Sequence, residues 1–179
     1  MADKSKESHT TEKVVEPPEP PEIERRIEFH RLQMIGMPFI LLIPLLALFG
    51  LFGESFDEAQ AANSQVELRV DHPTRLRYKA VNAMEISVRN ISAQEVPTIT
   101  VTIDSDYVDK FAQVSFIPEV DEVTDEVYEI ELQNVGAGEA RQISIDFQGD
   151  EFGLHTGTIT AQPEGGEAAQ TQISTFVFP

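Results

Sequence analysis

The run from Gln33 to Gly53, QMIGMPFILLIPLLALFGLFG, holds 21 residues without one charged side chain. As a helix it would extend about 30 Å, the thickness of the hydrocarbon core of a bilayer. A cleavable leader would lie nearer the N-terminus and have a shorter apolar core, whereas a polar tail of about thirty residues precedes this run. The preferred reading is a retained single-pass anchor with its span at 33–53, and the rival is a buried helix of a soluble protein. The flanks orient it. Arg25, Arg26 and Arg31 come just before the span and Glu54, Asp57 and Glu58 just after it. The positive-inside rule then places the N-terminus in the cytoplasm and residues 54–179 in a bacterial periplasm or an equivalent external space. The tail through Arg31 has 6 basic and 8 acidic residues and the part after Gly53 has 7 and 23, so the exported side carries −16 of the net −18.

That acidity argues against a nucleic-acid partner, since binding a polyanion requires a basic footprint that releases counterions. The absence of cysteine removes disulfides, thiolate zinc sites, iron–sulfur clusters and acylated cysteine anchors. Within the span, Pro38 and Pro44 each lack an amide donor, and Gly36, Gly50 and Gly53 leave bare backbone for another helix to approach. One reading is a kinked helix packed in a larger complex. The other is the general abundance of glycine and proline in membrane helices, and no Gly-x-x-x-Gly motif decides between them. No ionisable residue lies inside the run, so it offers no proton or ion pathway.

Residues 1–20 are polar and end in Glu16-Pro17-Pro18-Glu19-Pro20, a composition that cannot bury a core and favours extended backbone. They read as a disordered acidic cytoplasmic tail, with a docking motif for a proline-recognising domain as the less favoured alternative. Pro21, Glu22 and Glu24 suit a helix start, and Ile23, Ile27, His30 and Met34 recur at helical spacing, so the expected helix runs over 21–53. Its pre-membrane turns present Arg25, Arg26 and Arg31 to anionic lipid or to a partner, or serve orientation alone.

After an expected linker at 54–64 the period changes to two. Met84, Ile86 and Val88 alternate with polar residues, as do Ile99, Val101 and Ile103, then Tyr128, Ile130 and Leu132, then Ile143, Ile145 and Phe147. Further strand-like runs cover 66–70, 76–80, 114–117, 154–161 and 171–178. Turn residues separate them at Asn90-Ile91-Ser92, Asp104-Ser105-Asp106, Gly136-Ala137-Gly138, Gly149-Asp150 and 163–166. No helical pattern follows the membrane segment. Seven to nine short strands over 65–179 predict an all-β, antiparallel, immunoglobulin-like sandwich anchored by one N-terminal transmembrane helix. The segments MEISVRNISAQEVPTITVTID, YEIELQNVGAGEARQISIDF and GLHTGTITA give residues 66–178 a resemblance to the CARDB-type bacterial adhesion-related modules. The resemblance implies the fold and a role in binding or spacing, not a reaction.

No catalytic constellation accompanies it. His9, His30, His72 and His155 are scattered without metal-ligand spacing, and no Gly-x-Ser-x-Gly is present. Asp104, Asp106 and Asp109 invite calcium, but Val108 breaks the loop pattern, so a solvated acidic turn is preferred. The run 119–126 (EVDEVTDE) reads as a solvated loop whose field would steer a basic partner. The less ordinary feature is cationic. Arg69, Arg75, Arg77, Lys79 and Arg89 are five of the seven basic residues after the span, and alternation puts Arg75, Arg77 and Lys79 on one strand face. They would contact anionic lipid headgroups or an acidic subunit, or pair internally with the surplus carboxylates. The expectation is therefore a non-catalytic accessory subunit of a membrane complex, without cofactor or metal, whose partners are other membrane-protein subunits and lipid headgroups. The alternative is a free-standing adhesion or ligand-binding receptor.

Overall fold

The computed structural model describes residues 31–48, 53 and 55–179. The elements in chain order are α1 (Arg31–Leu48), β1 (Ser55–Ala62), β2 (Val66–Arg77), β3 (Val81–Asn90), β4 (Val96–Asp104), α2 (Ser105–Val108), β5 (Phe111–Ile117), β6 (Glu122–Val123), β7 (Val127–Val135), β8 (Ala140–Gly149), β9 (Gly153–Pro163) and β10 (Ala169–Phe178). The described chain is thus overwhelmingly β after α1. By contact density it divides into two units at Ile43/Pro44.

The strands follow one hydrogen-bonded path, β5-β8-β3-β2-β10-β9-β4-β7-β6, with β1 added to β2. The path is a curled sheet whose two halves share one core. Val66, Leu68, Val70, Met84, Ile86, Val88, Ile143 and Ile145 enter it from one half, and Ile99, Val101, Ile103, Ile130, Ile159 and Ile173 from the other. Every second residue of these strands faces inward, so burial of the branched side chains fixes the register. A slip by one residue would turn the whole set to water.

The halves meet at β2. Its first part pairs with β3 from Val66↔Asn90 to Asp71↔Glu85, and its last part pairs with β10 from Arg75↔Phe176 to Arg77↔Phe178. Pro73 lies between the two stretches. With no N–H to contribute to a ladder, it is suited to the point where a strand changes partners. Thr175 Oγ1 donates to the Pro73 carbonyl at 2.6 Å and secures the exchange. The β2–β10 pairing is parallel, which corrects the expectation of a wholly antiparallel sandwich.

Three further differences have local causes. The expected linker 54–64 contains β1, which pairs with β2 from Ser55↔Arg75 to Ala62↔Glu67. Only Ala59 and Ala61 pack on the core from this edge strand, and alanines are too small to mark an inward face in a sequence. The turn at Asp104-Ser105-Asp106 continues into α2, a single helical turn too short to show a period. Part of the acidic loop forms β6, paired with β7.

A close approach shapes the lower core. Tyr107 of α2 is 1 % exposed, and a Cβ built on Gly157 of β9 would lie 2.5 Å from the Tyr107 Cβ. Only glycine lets the ring lie on that strand. The Tyr107 hydroxyl meets Thr175 Oγ1 at 2.9 Å, which ties α2 to the β2–β10 junction.

Candidate functional site

Of the residues expected to pack the span, Gly36, Pro38 and Pro44 lie in α1, Gly53 lies beyond it, and Gly50 is outside the described residues. Nothing lies within 4 Å of a Cβ placed on Gly36. From Met37 to Leu48 the large apolar side chains other than the half-buried Leu46, including Phe39, Ile40, Leu41 and Leu48, are exposed. No helix among the described residues is long and apolar enough to cross a membrane. The described part of the uncharged run, 33–48, extends about 24 Å at 1.5 Å per residue, and the rest of its expected last turns, 49–52, is outside the description. Arg25, Arg26 and the tail 1–20 also lie outside it, and of Arg31 only the backbone is described.

The five cations do not form one stripe. Arg69 Nε meets Glu58 at 3.0 Å and its Nη2 meets Glu67 at 3.8 Å, while Arg89 Nε donates to the Gly138 carbonyl at 3.3 Å. Arg69 and Arg89 edge a shallow concavity with Glu67 and Ser87 on the outer side of β2 and β3. Arg75 and Arg77 lie about 20 Å further along β2 at some 3.3 Å per residue, past Asp71 and Pro73. Arg75 Nε donates to Ser55 Oγ at 3.0 Å. Lys79 is not on the strand at all: β2 ends at Arg77, and Lys79 sits in a turn with φ of 61°. Alternation therefore holds for Arg75 and Arg77 but stops before Lys79. The Lys79 ammonium pairs with Asp150 and lies 4.9 Å from the centre of the Tyr78 ring. The hydrogen bond to Asp150 raises its pKa above the ordinary lysine value, against a smaller opposing effect of desolvation.

The acidic turn has structural duties. Asp104 Oδ1 accepts from the Asp106 amide at 3.2 Å and caps α2, and Asp109 Oδ1 accepts from the Tyr128 hydroxyl at 3.0 Å. Among the described residues no three His, Cys, Asp or Glu side chains gather as a metal site. In the second acidic run, Asp121 Oδ2 accepts from the Glu131 amide at 2.7 Å, and Glu122 stands opposite Glu129 across β6 and β7. Like charges in register concentrate negative potential along this sheet edge.

Two polar clusters were not legible as sites. Asn90, fully buried, gives its Nδ2 protons to the carbonyls of Gln94 (2.7 Å) and Val135 (2.9 Å), and its Oδ1 accepts from the Ser92 amide and hydroxyl. Its backbone N–H donates to the Glu139 carbonyl, and its own carbonyl accepts from Gly138 N. One side chain thus fastens three segments, and its role is structural. Elsewhere, His72 Nδ1 and Asn82 Nδ2 are buried without a partner, on β2 and β3 just past the last pairing between those strands.

A third group was missed for a different reason. Phe152, Leu154 and Phe176 are 56 %, 66 % and 43 % exposed. They sit on the outward phase of their segments, where Gln170, Gln172 and Ser174 of β10 are polar. An apolar residue on the polar phase was the available signal.

No family model matches the chain, and no curated protein matches it. Among solved structures, the crystal structure of the CARDB domain of PF1109 from Pyrococcus furiosus, in complex with di-metal ions, is similar at 12 % identity and TM-score 0.43, covering 68 % of this chain and 93 % of that one. The solution structure of the same domain is similar at 14 % identity and TM-score 0.42, covering 60 % and 89 %. A cohesin module of a family 33 glycoside hydrolase from Clostridium perfringens reaches 8 % identity and TM-score 0.42, covering 68 % and 98 %.

Proposed function

We propose that the chain is a non-catalytic, single-pass accessory subunit of a multi-subunit membrane complex, with its N-terminus in the cytoplasm of a bacterium and an immunoglobulin-like domain outside. The carrying observation is the uncharged run 33–53 joined to a domain whose polar clusters serve its own fold. Exposed apolar side chains along Met37–Leu48 leave the helix surface to be covered by lipid or by other helices. Glycine and proline in that surface suit close packing against neighbours. Photosynthetic and respiratory assemblies are the natural contexts, because they hold single-pass subunits that scaffold rather than react.

The test is gentle detergent extraction from native membranes, then native electrophoresis and mass spectrometry. Stoichiometric co-migration with a large assembly supports the subunit reading. Migration as a lone chain of about its own 20.0 kDa mass plus detergent sinks it.

One observation favours a second reading, an envelope receptor. Asp104, Thr156, Thr158, Gln172 and Ser174 line a shallow concavity on the outer side of β4, β9 and β10. Hydroxyl and amide groups of this kind suit a glycan or a calcium-bridged ligand. A reproducible calcium-dependent rise in melting temperature of the full chain would move this reading to first place.

A further inference from the structure

We propose that one corner of the β-domain, at the end of β2, docks on an anionic bilayer surface. This inference rests on the membrane-anchor reading above. The corner is built by three strands in register. Arg75 stands opposite both Ser55 of β1 and Phe176 of β10, and Phe176 stands opposite Leu154 of β9. Register partners share a face, so a cation, an aromatic ring and a leucine lie side by side on the outside of the sheet. One step further, Arg77 stands opposite Phe178, and the Tyr78 amide donates to the Phe178 carbonyl at 2.7 Å. The Tyr78 ring lies 4.5 Å from that of Phe152, with the Lys79 ammonium on its other contact.

The result is an apolar surface of Phe152, Leu154 and Phe176 beside Arg75, Arg77 and Lys79. Folding accounts for it only in part: the Phe152 ring lies on Tyr78, but all three apolar side chains stay about half exposed and none belongs to the buried core. Charge complementarity selects the occupant. Three of the seven cations of a domain of charge −16 collect here. Of the three, Lys79 is paired with Asp150 of the adjoining loop, whose other carboxylate, Glu151, is paired with Lys110. Aromatic rings with cations around them match the headgroup boundary, where rings bury beside the glycerol level and cations meet lipid phosphates. Chain order agrees: Ser55, in this corner, is two residues beyond the end of the uncharged run. The acidic turn Asp104–Asp109 belongs to β4 and α2, and β9 separates β4 from β10 in the sheet.

The native chain has no tryptophan, so single reporters can be placed in the full-length protein. Phe152→Trp reports on the corner and Phe39→Trp on the run itself, each reconstituted in vesicles with brominated acyl chains. The control indole should be quenched in both zwitterionic and 30 % anionic vesicles. The indole at position 152 should be quenched at least about twofold more in the anionic vesicles, and the Arg77→Glu/Lys79→Glu pair should abolish the difference. Quenching of the control with none at position 152 overturns the docking proposal and leaves the anchor intact. Equal quenching at 152 in both vesicles, insensitive to charge reversal, overturns the anionic partner. Quenching at neither position overturns the anchor reading together with the proposal. Leu154→Trp provides a second reporter should Phe152→Trp misfold.

Discussion

The two ends of the β-domain dispose of their side chains in opposite ways. At the end around Asn90 a polar side chain is turned inward and its donors and acceptors all meet partners within the domain. At the end around Arg75 and Phe176, apolar side chains are turned outward and meet water. The first arrangement is what a self-sufficient fold requires, because a buried amide without partners is costly. The second is not required by folding, so its reason has to be sought outside the chain.

That contrast can be broken most severely at Asn90. Asn90→Ala removes the donors to the Gln94 and Val135 carbonyls and the acceptor of the Ser92 amide, while the Ser92 hydroxyl keeps the Gln94 carbonyl at 2.8 Å; the change is expected to cost about 2–3 kcal/mol, read as a lower midpoint in denaturant unfolding followed by circular dichroism. A loss under about 0.5 kcal/mol would mean the inward cluster is not what holds that end. Gly157→Ala comes next. Its methyl would meet Tyr107 at 2.5 Å, and overpacking of this kind costs about 1–3 kcal/mol. Unchanged stability would show that α2 moves off β9 freely.

Tyr107 sharpens the comparison through pH. Burial pushes its phenol up to about 12, with the Thr175 hydrogen bond acting weakly the other way. Below pH 10 the phenol is protonated whether the chain is folded or not, so its contribution is intact. Between pH 10 and about 12 the unfolded chain ionises first, and stability should fall by an amount on the order of 2 kcal/mol. Tyr107→Phe should flatten that slope. Lys79 and Tyr128 are raised too and slope the same way, but Lys79 is exposed and Tyr128 only half-buried, so the contribution of the fully buried Tyr107 dominates. The smallest effects belong to the outward side. Arg69→Ala removes exposed ion pairs and should cost under about 1 kcal/mol, less at high salt. Leu154→Ser should leave the unfolding midpoint within about 0.5 kcal/mol of the parent while reducing association with anionic vesicles. A strongly destabilised Leu154→Ser chain would place that leucine in the fold after all.

The strands were legible where branched residues alternate with polar ones, as in Met84–Val88 and Ile99–Ile103, because burial of one face writes itself into the sequence. β1 was hidden because its inward residues are Ala59 and Ala61. β2 read as two runs, 66–70 and 76–80, because His72 and Pro73 interrupt the pattern where the partner changes. The cationic group was legible as residue types but not as a surface: which carboxylates reach Arg69 and Lys79 depends on strand neighbours that periodicity does not name. The pairing of Leu154 with Phe176 could not be foreseen for the same reason, although each breaks the polar phase of its own strand.

The parallel seam between β2 and β10 also sets a clock. It joins residues about a hundred positions apart, as the Thr175–Pro73 contact shows at a separation of 102, and distant contacts form slowly because chain entropy is lost before they can be rewarded. Until β10 arrives, β9 has an unpaired edge and β2 lacks the neighbour that its last residues require. A chain emerging N-terminus first therefore holds nine strands in waiting, and delivery of the tenth is the event that commits them. Slowing that delivery should prolong the interval in which a chaperone or protease finds the open edges.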